Sequence, residues 1–302
     1  KKSKIKLLKI ILKGINGIMI YLDSFKFVNE NREYDFILDE KRTCYDSFYP
    51  FKILSKNQFE RVDFDRITIL YGGNDSGKST ALNIIAEKIK VHRDSIYNKS
   101  NFYSRYVDMC EVNIENDIPE KSRIITSDDV FDYMLNIRNI NEGIDNKREK
   151  LFEEYLDNKY NRFQMQSIDD YDKLRKVNES RSKTQSKYVR HNLMDNVREY
   201  SNGENAFRYF ISKIEESGLY ILDEPENSLS PKRQIELVKF IEEHARYLGC
   251  QFIIATHSPF ILSLKGAKIY DLDENPVDIK RWTDLDNVRQ YYNFFKNHEN
   301  EF

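Results

Sequence analysis

Apolar residues in this chain form short β-branched runs separated by helical stripes, the pattern of an α/β protein. Ile67–Leu70, Leu219–Leu222 and Gln251–Ala255 are apolar at nearly every position and read as buried strands. Arg123–Thr126 adds a short strand, and Ala267–Leu272 a late edge strand. Met19–Phe27 and Val107–Ile114 alternate, as strands with one wet face do. Residues 19–40 read as a first hairpin, and 91–106 as a polar connection. Helical spacing appears over 78–90 (Leu82, Ile85, Ile89), 130–137, 206–214 and 284–297. Another helix starts at Ser230-Pro231, an N-cap serine before proline, and ends near Leu248, where Gly249 stops it.

Three stretches stand outside this rhythm. Residues 1–18 are Lys-rich and apolar. They read as a leader, a basic amphipathic segment, or sequence translated from upstream of a true start at Met19. Arg42–Phe51 is aromatic-rich. Tyr45, Phe48, Tyr49 and Phe51 read as core under a loop, with stacking on a nucleotide base as the competing reading. Residues 141–195 are charged, poor in Gly and free of Pro, and read as a helical subdomain inserted into the core. Its basic stretch 173–187 is a solvated face or an interaction surface. The divisions expected are 1–18, 19–140 (first half of the core domain), 141–200 (helical insert) and 201–302 (second half).

The chemistry concentrates at run ends. Ile67–Leu70 leads into Gly72-Gly73-Asn74-Asp75-Ser76-Gly77-Lys78-Ser79-Thr80, a G-x-x-x-x-G-K-[ST] phosphate loop between strand and helix. Its glycines let the backbone wrap round phosphate oxygens, and the helix N-terminus faces the anion. Lys78 is placed to reach the β/γ-phosphates, and Ser79 to offer a hydroxyl to Mg²⁺. A chance glycine turn is the competing reading, and the flanking strand and helix argue against it. Leu219–Leu222 ends in Asp223-Glu224-Pro225, which puts two carboxylates where open α/β sheets bind ligands. Gln251–Ala255 ends in Thr256-His257-Ser258-Pro259.

Composition narrows the setting. In 302 residues the net charge is −2, so no basic surplus supports non-specific nucleic-acid binding, although a local patch is left open. Cys44, Cys110 and Cys250 lack metal-ligand spacing and read as reduced thiols. No apolar run is long enough to span a membrane. A cytoplasmic protein is expected.

The ordered set Gly72–Thr80, Ser201–Glu204, Leu219–Glu224 and Thr256–Pro259 resembles the ABC-type ATPases. Within them it resembles the SMC-like and RecF/OLD-like branch, and small bacterial predicted AAA-type ATPases that share the Tyr49-Pro50-Phe51 loop. The resemblance implies a P-loop NTPase fold: an ABC-type ATPase head with a mostly parallel central sheet, an N-terminal antiparallel β portion and an inserted helical subdomain. It implies Mg²⁺-dependent ATP hydrolysis. Asp223 would hold Mg²⁺ with Ser79, Glu224 would orient or deprotonate the attacking water, and His257 would sense the γ-phosphate. Ser201-Asn202-Gly203-Glu204 resembles the family's Ser-Gly-Gly-Gln motif, departing at Asn202 and Glu204. By that resemblance Ser201, Gly203 and Glu204 serve the nucleotide of a second copy, in a head-to-tail homodimer. Glu226–Ser230 would be the inter-subunit loop, and Ser127, Asp128 or Asp129 the counterpart of the transporters' glutamine-bearing loop. A protein partner or effector, in DNA repair or phage defence, follows by analogy. Two alternatives are a nucleotide-gated module with negligible turnover and the motor subunit of a transporter.

Overall fold

In a computed structural model, residues 19–41, 44–45, 47–160, 162–163, 167–197 and 201–302 are described. The leader at 1–18 lies outside them. In chain order, β1 (Leu22–Lys26) precedes α1 (Glu30–Asp39), and β2 (Arg61–Asp63) and β3 (Ile67–Tyr71) precede α2 (Lys78–Ile89). Next come α3 (Tyr103–Met109), β4 (Glu111–Ile114), β5 (Arg123–Thr126), α4 (Ser127–Tyr160), α5 (Tyr171–Ser182) and α6 (Gln185–Asn192). The chain then forms α7 (Asn202–Lys213), β6 (Leu219–Asp223), α8 (Pro231–Tyr247), β7 (Gln251–Ala255) and α9 (Pro259–Leu262). It ends with β8 (Lys268–Asp271), β9 (Asp278–Lys280) and α10 (Asp286–Asn297).

The expected α/β class, with a mostly parallel central sheet and an antiparallel N-terminal portion, is what forms. Six strands run in the order β5-β6-β7-β3-β8-β9, parallel except for β9. Three more form an antiparallel sheet, β2-β1-β4. β3 and β7 are buried at every position, which is why their sequences show apolar runs and not alternation. One core joins the two sheets through α2, whose Ala81, Leu82, Ile84, Ile85 and Ala86 are all buried. On α8, Leu237, Ile241 and Ala245 recur at four-residue spacing and form its buried face, and the helix packs on β7.

The sheets are also joined by one buried side chain. Gln251, fully buried, accepts from Tyr21 N and Leu22 N (both 2.9 Å) and donates to Leu22 O (2.8 Å) and Asp65 O (3.2 Å). It satisfies backbone groups that neither ladder reaches.

Three expectations are corrected. Residues 19–40 are not a hairpin but a strand and a helix. Asn29 caps α1 by accepting from Arg32 N (3.0 Å), Glu30 and Glu33 sit in its first turn, and β1 pairs with the distant β2 and β4. Val107–Ile114 is a strand only from Glu111 onward. Tyr103, Tyr106 and Val107 have helical spacing and bury together in α3. β8 is not an edge strand, because β9 pairs with it (Ile269↔Lys280).

The chain divides into two compact units, residues 1–130 with 202–302, and residues 131–201. In the second, Leu151, Tyr155, Tyr188 and Val189 form a small core, and Tyr155 and Tyr188 have ring centroids 5.5 Å apart. Asn141 and Val197 bond reciprocally, side chain to backbone (2.9 and 2.8 Å).

Gln251→Leu keeps size and burial but strands three backbone groups of buried Tyr21 and Leu22 and removes the bond to Asp65 O. Urea unfolding should show a loss of about 3 kcal/mol or more, with an unchanged slope.

Candidate active site

Each candidate residue follows a strand of the parallel sheet, and register decides where it lands. Leu70 pairs with Ala255, Ala255 with Asp223, and Asp223 with Thr126. The phosphate loop, the Asp-Glu pair, the His257 loop and the start of α4 therefore leave one sheet edge side by side.

The phosphate loop is built on two close approaches. Gly77 has φ +91°, and a Cβ there would lie 2.9 Å from Leu54 Cδ2 and 3.0 Å from Ile53 Cγ2. A Cβ at Gly72 would lie 2.6 Å from Ser76 Oγ. Lys78 is buried and its Nζ donates to Gly72 O and Gly73 O, both at 2.7 Å. Asp273, after β8, accepts the Gly73 N–H with both oxygens (3.0 and 2.8 Å). Ser79 Oγ donates to Asp223 Oδ1 at 3.0 Å, across 144 residues of sequence. Two hard oxygen donors in contact at the mouth of a phosphate loop fit Mg²⁺.

A cavity of about 830 Å³ runs from residues 74–80 and Glu224 to Tyr49, Lys52, Ile53 and Lys56. Its far wall is held from beneath. Buried Glu33 on α1 accepts from Lys52 N (2.8 Å) and Ser55 Oγ (2.6 Å), and burial pushes its carboxyl above the usual range. The aromatic loop divides. Phe51 is buried against Phe36, Tyr45 and Phe48 pack on Phe102, and Tyr49 alone of the four lines the cavity, its hydroxyl on Thr80 Oγ1 (3.3 Å).

Glu224 has φ +47°, a strained conformation for a non-glycine residue, and its N–H donates to Ala255 O (2.9 Å). Asn227 Nδ2 donates to its Oε2 (3.0 Å), and His257 Nδ1 lies 3.9 Å from its Oε1. Asp223 is pushed up to about 6. Burial is the main cause, the nearby Glu224 charge adds to it, and the Ser79 hydroxyl opposes it.

Other expected residues are placed as follows. Gly203 and Glu204 lie in the first turn of α7. Glu204 pairs with Arg208 (3.3 Å), and a Cβ at Gly203 would meet Ser228 O at 3.1 Å, so α7 packs closely on the loop after Glu224. Ser201 directly precedes α7 and is exposed. Of Ser127, Asp128 and Asp129, Asp129 is buried and engaged, accepting from Thr126 N (2.7 Å) and Thr126 Oγ1 (3.0 Å) as a helix cap.

Sequence reasoning missed Arg93, Asp273, Asn287 and the special place of Glu226. Arg93 lies 4.0 Å over the Tyr97 ring and donates to Asn83 Oδ1, with Asp129 and Asp223 among the acids around it. Asn287 Nδ2, on α10, donates to His257 O (2.9 Å). Arg93, Asp273 and Asn287 carry no motif. Glu226 had one signal, a third acid directly after Asp223-Glu224-Pro225.

A carboxyl raised in the folded state contributes stability at low pH and loses it as pH rises through about 6. Ionised Asp223 therefore costs the nucleotide-free chain at most about 3 kcal/mol above that pH. Asp223→Asn should raise the thermal midpoint at pH 7.5, and the gain should vanish as pH falls from 6 toward 4.

Among known families, the chain matches the ABC transporter profile over residues 60–227, and an AAA-domain profile of AbiEii type over residues 210–263. No curated protein matches it. Among solved structures it is similar to the Smc head domain of Pyrococcus furiosus with an extended coiled coil, bound to the C-terminal domain of ScpA. That likeness has 13% identity, covers 79% of this chain and 95% of the other, and has a TM-score of 0.38. It is also similar to a dimeric ATP-binding cassette in a post-hydrolysis state bound to ADP and Pi (12% identity, 74% and 90% covered, TM-score 0.34). A third is a nucleotide-free ATP-binding cassette from an ABC transporter (15% identity, 77% and 87% covered, TM-score 0.37). No helix among the described residues is long and apolar enough to cross a membrane. The profile match spans more than half of the chain and runs through both the phosphate loop and Asp223-Glu224, so the chain belongs to the ABC transporter family, as an ABC-type ATPase.

Proposed function

We propose that this chain is a Mg²⁺-dependent ATPase whose working unit is two copies closed head to tail over two ATP molecules. The observation that carries the reading is the 3.0 Å contact between Ser79 Oγ and Asp223 Oδ1, with Glu224 on the wall of the same cavity. Ser79 and Asp223 would hold the metal, which when bound neutralises charge on the phosphates. Lys78 approaches the phosphates from within the loop, and the N–H groups at the start of α2 face them. Glu224 orients the attacking water or takes its proton, since its carboxylate borders the cavity. His257, at the end of the neighbouring strand, contacts the terminal phosphate and helps to place that water.

The second copy enters through the start of α7. Ser201, Gly203 and Glu204 border a helix N-terminus, whose N–H groups suit an anion from another chain. Contacts to the γ-phosphate that exist only in the closed pair favour closure, and hydrolysis releases it. Residues 141–195, or a partner protein, would carry the output. A repair or phage-defence setting rests on the resemblance alone, and a cytoplasmic location on the reading of Cys44, Cys110 and Cys250 as reduced thiols.

Glu224→Gln separates the parts of this reading. Light scattering should give the mass of a dimer with ATP and Mg²⁺ and of a monomer without them. A monomer in both conditions would contradict the paired unit. In single-turnover assays the variant should bind ATP normally but hydrolyse it at least about 100-fold more slowly than wild type. Equal rates would remove Glu224 from the chemistry and favour a nucleotide-gated binding module.

A further inference from the structure

Glu226 is a carboxylate with no role in the mechanism above. It is 7% exposed, and a single oxygen does most of its bonding. Oε1 accepts from Thr256 Oγ1 (2.7 Å), His257 N (2.9 Å) and Ser258 N (3.2 Å), and His257 Nδ1 lies 3.4 Å from it. Oε2 is buried without a partner among the described residues. Burying an ionisable side chain with half of its acceptor capacity unused is costly, and the bonds of Oε1 are what offset that cost. What the residue does accomplish is local. Thr256 N still reaches Leu70 O (3.2 Å) and Ser258 N is shared with Thr256 Oγ1 (3.0 Å), but the His257 N–H has Glu226 Oε1 as its acceptor. From the other side, Asn287 Nδ2 donates to His257 O (2.9 Å), so the His257 residue is held at both its N–H and its C=O by side chains.

We propose that Glu226 is the positioning residue for His257. It fixes the chain at 256–258 and faces ring nitrogen Nδ1, so that Nε2 is the nitrogen presented to the terminal phosphate. A partner on one imidazole nitrogen sets what the other can do. The inference rests on the ATPase reading of His257. It also ties the loop directly after Glu224 to the histidine loop, so the water-activating acid and the phosphate-sensing ring move as one body.

The test is a double-mutant cycle on ATP turnover, with nucleotide affinity and the unfolding midpoint measured on every variant. Glu226→Ala should lower kcat about tenfold or more and leave nucleotide affinity within about twofold. Added to His257→Ala, it should cause no further loss, because both act through one ring. Glu226→Gln keeps an acceptor oxygen for the hydroxyl and the two N–H groups, and should recover most of the lost rate. If Glu226→Ala does not fold, Thr256→Val reads the same cycle. It is isosteric, removes the 2.7 Å bond, and should slow turnover several-fold only when His257 is present. Wild-type kcat in Glu226→Ala, or losses that multiply in the double variant, would overturn the assignment while leaving the ATPase reading intact. A wild-type protein without Glu224-dependent turnover would overturn both.

Discussion

The register of the parallel ladder is the constraint on which the site depends. A shift of one residue between β6 and β7 would turn every side chain to the other face of the sheet. Asp223 would then leave Ser79, and the contact between two residues 144 positions apart in sequence would be lost. Register is fixed by the ladders on both sides of β7 and by Gln251, the polar residue that opens β7 and meets Tyr21, Leu22 and Asp65. The same feature that makes these strands stable makes the site accurate. Their loops begin at fixed heights, and four of them open on one edge.

Polar side chains buried inside this frame do the remaining positioning. Gln251 joins the antiparallel sheet to the parallel one, Glu33 holds the loop that walls the cavity, and Glu226 holds the histidine loop. Each pairs with backbone groups that no ladder serves, and each would be expensive to leave unpaired. Apolar packing could fill the same volumes without fixing the direction of a loop. The buried polar groups give direction, and direction is what a phosphate site requires.

The residues legible in the sequence were those whose chemistry is local. Lys78 and Ser79 sit in a contiguous motif, Asp223 and Glu224 end an apolar run, and His257 ends another. The fold class was legible for the same reason, because buried strands announce themselves as runs. The misread elements are those whose partners are distant. The segment 30–39 reads as the return strand of a hairpin, but β1 finds its partners at β2 and β4, and the Asn29 cap then decides for helix. The aromatic loop shows the limit well. Phe51 and Tyr49 are two residues apart and both aromatic, yet Phe51 is buried in the core while Tyr49 packs on its edge and also lines the cavity, which only the path of the chain determines. Gln251 and Asn287 look like ordinary polar residues until the backbone groups they serve are known.

In the proposed reading, the charge of the site favours a metal complex over a free nucleotide. Asp223, Glu224 and Glu226 place three acids within four residues, while Lys78 is the cation within the loop and Lys52 and Lys56 stand on the far wall of the cavity. Burial and the neighbouring Glu224 already push the Asp223 carboxyl up to about 6, which means that the site by itself disfavours its own full ionisation. Free ATP would add anionic phosphates to that field. A divalent cation between Ser79, Asp223 and the phosphates reverses the balance, because it is attracted to the acids that repel the nucleotide. In the proposed reading, the acids that make the nucleotide-free chain less stable are the ones that select Mg²⁺–ATP, so stability given up at Asp223 is recovered on binding.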